Sequence, residues 1–571
     1  METRDRAQHA PPGPGETIPV PPDFPVTWRT AAAENLFWQR DRMHFPDPLP
    51  PLVTTLFIDE VFSQAFGYAA DAHALPISLA ACAQNGYFYQ TAIPKGHSPE
   101  EMEELGAKAQ EALGSAMGRQ LERWNTETLP EVREHIAAWD RMDLAAASPS
   151  QLRAYLDETV ERTLRLWQLH FLTVIPGFPS VSIFEDMCRD LFADDPEFVP
   201  HQLIQGIPTK ITEMGLALWG LSRQAREMPS VRQILEEEAA ADVIPALVRT
   251  EEGREFLADF HGYLAKFGQR GDSALCVAEV TWIEDPTPAI KMLKDYVGQD
   301  DRDLQAEAEA LATEREAAIA LARTRLEGFP EQVRGQFEYL LDAAQQGIYL
   351  AEEHNYHIDF CGMYRVRVVT RELGQRLVEA GTIEDAEDVY FLTLDELRAA
   401  LDTFGESDLR AAVTARREEH ARQRAMQPPP VLGAMPPGPP PDDPLSLAFM
   451  KFFGGPPQIS EEPNTVQGTA GSPGVVRGTA RVLRSLADAD RLQRGDIIVA
   501  ETTAVPWTPH FATAAGIVTD TGGTLSHSAV TAREYGIPAV VGATIATAVI
   551  RDGQMIEVDG FTGLVRILDA V

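Results

Sequence analysis

Two proline runs, Gln427-Pro-Pro-Pro430 and Pro436-Pro-Gly-Pro-Pro-Pro-Asp-Asp-Pro444, divide this chain of 571 residues into parts that cannot share one continuous secondary structure. Proline fixes φ and withholds a backbone N–H, so neither a helix nor a central sheet ladder passes through such a stretch. Extended at about 3.1 Å per residue, the segment 427–444 would span on the order of 55 Å, enough to let a tethered domain swing between distant sites. An inert spacer wrapped on the surface is the plain alternative. The chain is therefore expected to be multidomain: a disordered or extended arm over 1–26, a large mostly α-helical domain over 27–426, a proline-rich linker over 427–465 and a small α/β domain over 466–571. Apolar residues at helical spacing through 99–141, 150–173, 208–262, 300–350 and 362–425 support the helical reading. Short β-rich segments such as Thr479–Leu483, Ile497–Ala500 and Met555–Val558 mark the last domain.

The formal net charge of −37 argues against a nucleic-acid partner, since binding a polyanion needs concentrated Lys and Arg. No apolar run approaches the roughly 20 residues that a bilayer helix requires, so no membrane partner is expected. Cys82, Cys188, Cys276 and Cys361 are scattered without a CxxC pair, which disfavours a disulfide framework or a cysteine zinc site and makes the cytoplasm the expected compartment.

The densest chemical signal is Thr521-Gly-Gly-Thr-Leu-Ser-His-Ser-Ala-Val-Thr-Ala-Arg-Glu-Tyr-Gly-Ile-Pro-Ala-Val540. The preceding Ala514–Thr521 reads as a buried strand, Gly522 and Gly523 as a sharp turn, and Thr524 or Ser526 as the cap of a helix that stops at Gly536 and Pro538. His527 then sits at a helix start, where unpaired N–H groups and the helix dipole favour an anion. An imidazole nitrogen can attack phosphorus there, and Gly522, Gly523, Thr524, Ser526 and Arg533 are the candidates to hold the phosphate. A histidine that merely caps a helix is the bland alternative.

This stretch resembles the swivelling phosphohistidine domain of the phosphoenolpyruvate-utilising enzymes, and the likeness extends upstream through Gly468–Val482 and Gly495–Ala500. The resemblance implies that 466–571 is a swivelling carrier domain and His527 its phosphorylated residue. Parts of the helical region are similar to the substrate-binding domain of rifampin phosphotransferases, notably His44–Leu52, Gln84–Tyr89, Phe267-Gly-Gln-Arg-Gly271 with Trp282–Pro286, and Asp385–Leu397. That likeness makes 27–426 the acceptor-substrate-binding domain. The Arg-Glu-x-x-Lys cluster of the antibiotic kinases is replaced by Tyr349-Leu-Ala-Glu-Glu-His-Asn-Tyr-His-Ile-Asp359, so their catalytic roles do not transfer.

On a helix Glu353 and His357 share a face, and a carboxylate beside His357 suits a general base for an acceptor hydroxyl. A solvated, salt-bridged helix turn would show the same spacing. Arg270 and Asp272, in a glycine-flanked loop, are candidates for neutralising phosphoryl oxygens and fixing the acceptor, or equally for a structural ion pair. Glu352, His354, Tyr87 and Tyr89 complete the substrate-binding candidates, although core packing is the commoner fate of such tyrosines. No metal ligands are expected.

No GxxxxGK[ST] loop occurs, and neither an ATP-grasp domain nor a phosphoenolpyruvate-binding barrel is recognisable. The family resemblance then implies the catalytic subunit of a split, dikinase-type phosphotransferase similar to phenylphosphate synthases. ATP and Mg²⁺ would be bound on a separate ATP-grasp subunit, this chain would hold no tightly bound cofactor, and the acceptor would be a small aromatic or other hydroxyl compound. Charging by phosphoenolpyruvate, or a non-catalytic phosphohistidine regulatory module, are the alternatives.

Overall fold

The computed structural model describes residues 13–193, 195, 198–271, 275–299, 302–436, 438, 443–455, 460, 462, 464–503 and 505–568. The chain forms two compact units. The first comprises Met1–Leu113, Ala138–Phe171 and Val366–Ser446, the second Gly114–Ala137, Leu172–Arg365 and Leu447–Val571.

In the first unit an antiparallel sheet interrupts the region expected to be helical. Its strands run in the order Ile77–Gln84, Tyr87–Pro94, Phe37–Arg40, Val431–Gly433. Asn85 and Gly86, at φ of 50° and 78°, make the two-residue hairpin that the right-handed strand twist favours. One face carries a cluster of Phe24, Trp38, Tyr87, Tyr89 and Leu432.

Two boundaries are corrected by this sheet. Within the expected N-terminal arm, Phe24 is buried in that cluster and Thr17 bridges to Ala434. Within the expected linker, Val431–Gly433 is a strand and Pro444–Phe453 a helix, because proline excludes regular structure only where it sits and Val431-Leu-Gly433 is free to pair.

The second unit packs the helices Lys210–Glu227, Glu251–Phe267 and Thr287–Val297 around a core that includes Leu218, Trp219, Phe256, Phe260, Trp282 and Tyr296. A second cluster joins Phe184, Phe337, Leu340 and Leu341 to Leu525, which lies in the loop before His527. The same unit contains an eight-stranded sheet whose central strands Val475–Leu483, Ile497–Ala500, Gly516–Thr519 and Ala539–Val541 are mutually parallel, with antiparallel neighbours on both sides. Its apolar filling, Val466, Ile497, Val499, Val518, Val540, Ile556 and Val565 among others, is that of an α/β domain. Among the described residues no helix is long and apolar enough to cross a membrane.

Candidate active site

Strand Gly516–Thr519, buried along its whole length, delivers the chain to the glycine turn, and His527 opens the helix His527–Glu534. Ser526 is the N-cap; its Oγ accepts from the Ala529 N–H at 3.4 Å. Gly522 sits at φ 93°, and a β-carbon there would lie 2.8 Å from the Ser526 side chain. The turn thus requires glycine for both conformation and space.

The amides of that turn are not left for phosphate. Gly522 N–H donates to the Phe453 carbonyl at 3.2 Å, Gly523 N–H to Phe452 at 3.0 Å and Leu525 N–H to Lys451 at 2.9 Å. The last carbonyls of helix Pro444–Phe453 have no intrahelical donors, and the glycine turn satisfies them. Arg533 is also engaged: Nη1 donates to the Gly471 carbonyl at 2.6 Å and Nη2 to that of Thr524 at 2.8 Å. It ties the neighbouring strand to the loop before His527. Thr524 Oγ1, by contrast, is buried with no hydrogen-bond partner among the described residues.

The His527 ring is only 10% exposed. Nε2 lies 3.2 Å from Oγ1 of Thr531, one helical turn on, and Nδ1 lies 3.7 Å from Glu352 Oε1. Thr531 was not among the sequence candidates, although its i,i+4 spacing places it beside the ring. The other oxygen of Glu352 is buried without a hydrogen-bond partner among the described residues. Ser528 fixes the adjoining loop, accepting from Thr503 Oγ1 at 2.6 Å and donating to the Thr503 carbonyl at 3.2 Å.

Glu352 belongs to the helix Glu331–His354, which passes through a π-helical segment, Asn355–Phe360, into the helix Cys361–Glu379. π-Segments often accompany functional sites because they re-aim side chains within a continuous helix. Here the expected pair survives the altered winding: His357 Nε2 lies 3.6 Å from Glu353 Oε2, and Glu353 Oε1 accepts from the Lys210 N–H at 3.2 Å. His354 Nδ1 donates to the Leu350 carbonyl at 2.8 Å, and its Nε2 lies 3.7 Å from Asp359.

The remaining candidates lie elsewhere. Arg270 is 2% exposed, its guanidinium between the rings of Trp282 and Phe360 at 4.7 and 4.8 Å and its Nη1 2.9 Å from Met214 Sδ. Its described neighbours include core aromatic rings. Asp272 lies outside the described residues. Tyr87 and Tyr89 are core residues of the first unit, their hydroxyls donated to the Gln423 and Pro429 carbonyls, so the substrate-binding role is corrected for both.

Two groups around the helix His527–Glu534 have shifted titrations that are expected to make its packing pH-dependent. Burial raises the Glu534 carboxyl from 4.5 to about 7, although both its oxygens accept from the Gly206 N–H at 3.1 Å. Burial lowers His201 to about 3, with the Arg533 charge acting in the same direction. A raised carboxyl contributes stability that is full below pH 4.5 and lost as pH climbs through 7; a lowered imidazole contributes stability that is full above 6.5 and lost as pH falls through 3. Glu534→Gln keeps a carbonyl for Gly206 and removes the titration. Its unfolding free energy from urea titration is expected to exceed wild type at pH 8 by on the order of 1–2 kcal/mol and to match it at pH 4.5. Parallel pH profiles for the two proteins would refute this assignment.

Two family models match the chain: the rifampicin phosphotransferase fourth domain over residues 170–352 and the mobile domain of PEP-utilising enzymes over residues 492–563. Chondramide synthase cmdD of Chondromyces crocatus is 40% identical over 96% of this chain and 14% of its own length. Rifampicin phosphotransferase of Bacillus subtilis (strain 168) is 30% identical over 64% of this chain and 41% of its own. The prodigiosin synthesizing transferase PigC of Serratia marcescens is 31% identical over 62% of this chain and 38% of its own. The chain thus spans less than half the length of each of these relatives. His527 lies inside the region similar to the mobile domain of PEP-utilising enzymes, and Glu352 closes the region similar to the rifampicin phosphotransferase fourth domain.

Proposed function

We propose that this chain is the carrier and acceptor-binding part of an ATP-dependent phosphotransferase. His527 takes a phosphoryl group from an ATP-grasp unit on a separate subunit and passes it to a hydroxyl of a small aromatic acceptor. The single observation that carries the reading is the placement of the His527 ring at a helix start, 3.7 Å from a Glu352 carboxylate whose second oxygen is unpartnered among the described residues. The names of the relatives, two of them transferases, fit group transfer by the shared domains.

A carboxylate that accepts the Nδ1–H leaves the lone pair on Nε2, which makes Nε2 the atom that bonds phosphorus. Buried Thr524 Oγ1 and the first-turn N–H groups of the helix are the donors left for the phosphoryl oxygens. In delivery the acceptor oxygen forms the O–P bond, the N–P bond breaks with its electron pair returning to Nε2, and the acceptor proton passes to Glu352. Glu353 and His357 form a paired, largely buried unit on the same helical segment and are assigned to orienting the acceptor. ATP and Mg²⁺ are placed on the donor subunit, since Mg²⁺ prefers a near-octahedral oxygen set and the His527 surroundings offer mainly hydroxyls and one interacting carboxylate.

The test pairs the purified chain with an ATP-grasp protein of the family and [β-³²P]ATP, or with [³²P]phosphoenolpyruvate alone, and phenol as acceptor. Acid-labile label on the chain from ATP only, chased to phenol, is the expected result. Glu352→Gln is expected to charge normally and to deliver roughly 10²-fold more slowly. Charging by phosphoenolpyruvate would overturn the donor assignment, and stable label that never leaves the chain would favour the regulatory module.

A further inference from the structure

The far end of the helix His527–Glu534 meets the helical part of the second unit through contacts that take no part in the chemistry at His527. Glu534 is its last residue, and both carboxyl oxygens accept from the Gly206 N–H at 3.1 Å. The Gly206 loop is fixed from its other side. Gly206 stands at φ 60°, a β-carbon there would lie 2.7 Å from the Ala312 nitrogen, and Arg315 Nη1 donates to the Gln205 and Gly206 carbonyls at 3.1 and 2.6 Å. Tyr535, the C-cap, reaches further in. Its hydroxyl lies 3.8 Å from the place that a β-carbon on Gly215 would take, and the Arg302 guanidinium stands 5.8 Å from its ring centroid. Arg302 Nη1 also donates to the Ala512 carbonyl at 2.7 Å, and Ala512 packs on the core that holds Trp219 and Tyr296. Burial first, and the Tyr535 phenol next, raise the Tyr296 hydroxyl well above its ordinary value, so the two phenols are neighbours.

Gly215 gives these contacts their meaning. It lies inside the helix Lys210–Glu227, where alanine or leucine would serve the helix better than glycine does. The backbone it leaves bare is what the Tyr535 hydroxyl rests on. A methyl group at Gly215 would meet that hydroxyl at ordinary contact distance, whereas a side chain of leucine size would occupy the space of the phenol. Geometry adds a second reason. Glu534 lies two helical turns from His527, roughly 10 Å along the axis. A helix held only at its start can pivot, and a second hold at that distance fixes its direction.

We propose that Glu534 and Tyr535 are positioning residues that seat the helix His527–Glu534 on the acceptor-binding region, Glu534 on the Gly206 loop and Tyr535 over Gly215. They act through His527: with the helix seated, the ring faces Glu352, and with it released, the ring is free to meet the donor. That the seated arrangement is the delivering one rests on the proposed function; the seat itself does not.

Hydrogen exchange on the purified full chain reads the seat directly, because the Gly206 amide is hydrogen-bonded to Glu534 only while the helix is in place. Gly215→Leu is expected to speed exchange at Gly206 by roughly tenfold or more, while the strand amides of Ile498 and Val518 keep their wild-type rates. Tyr535→Ala should match it, and Gly215→Ala should behave as wild type. In single turnover with an ATP-grasp protein, ATP and phenol, Gly215→Leu and Tyr535→Ala are expected to charge normally and to deliver roughly tenfold more slowly at saturating acceptor. Unchanged Gly206 exchange in Gly215→Leu would overturn the proposal. So would equal acceleration at Ile498 and Val518, which would make these contacts part of the fold of the sheet, and so would faster Gly206 exchange with wild-type delivery. The exchange measurement needs neither donor nor acceptor, so a failure of phosphoryl transfer and a failure of the seat are separate results.

Discussion

His527→Ala should abolish charging of the chain and lower product formation by roughly 10³-fold or more, because no other group at the helix start can carry phosphorus as a nitrogen nucleophile. The polar neighbours of the ring include Thr531 Oγ1 at 3.2 Å and Glu352 at 3.7 Å. Truncation removes those contacts and a small, mostly buried ring, a loss of about 1–2 kcal/mol that leaves the fold intact. The measurement is acid-labile label on the chain together with far-ultraviolet circular dichroism. A folded variant that still accepts acid-labile label would eliminate His527 as the carrier, and phosphopeptide mapping would then identify the residue that took its place.

The parts of this site that rest on local chemistry were legible in the sequence. The strand before the turn, the glycines, a hydroxyl cap at Thr524 or Ser526 and a helix start near His527 all follow from residue type and order, and the structure has Ser526 as the cap. What could not be read was the destination of the glycine N–H groups. Their partners are the carbonyls of Phe453 and Phe452, and that of the Leu525 N–H is Lys451, some seventy residues earlier; a long-range pairing of this kind leaves no local periodicity. The burial of Arg270 was hidden for a related reason: a charged residue flanked by glycines reads as exposed, yet the aromatic faces of Trp282 and Phe360 give its guanidinium a buried place. The first-unit sheet was legible and was passed over, since Asn85-Gly86 between alternating β-formers is among the strongest short hairpin signals. The π-segments at Trp124 and Asn355 were beyond reach, because an extra residue per turn is invisible to a helical apolar pattern.

Gly523→Ala is expected to be the most damaging single-methyl change near the site. A β-carbon at Gly523 would lie 2.2 Å from the Lys451 carbonyl oxygen and 2.6 Å from its carbon, with backbone and not a flexible side chain in the way. Neither element can yield cheaply. Lys451 is held from the other side by Nζ hydrogen bonds to the Ser182 carbonyl at 3.1 Å and to Asp186 at 2.9 Å, and Phe452 packs on Phe178 with ring centroids 4.5 Å apart. The turn must therefore separate from the end of helix Pro444–Phe453, forfeiting three backbone hydrogen bonds and the seat of Leu525 in its apolar cluster. Overpacking of a well-filled site costs about 1–3 kcal/mol, and lost buried hydrogen bonds add to it, so a destabilisation of roughly 3–5 kcal/mol is expected. Because that turn also sets the helix start, the His527 ring should lose its register with Glu352, and delivery to the acceptor should fall by at least about 10²-fold while chemical charging on the histidine is less affected. Urea denaturation and single-turnover delivery from the charged chain measure the two effects. Wild-type stability together with wild-type delivery would show that the helix end and the glycine turn are not joined in solution, and that the positioning of the carrier ring depends on other contacts.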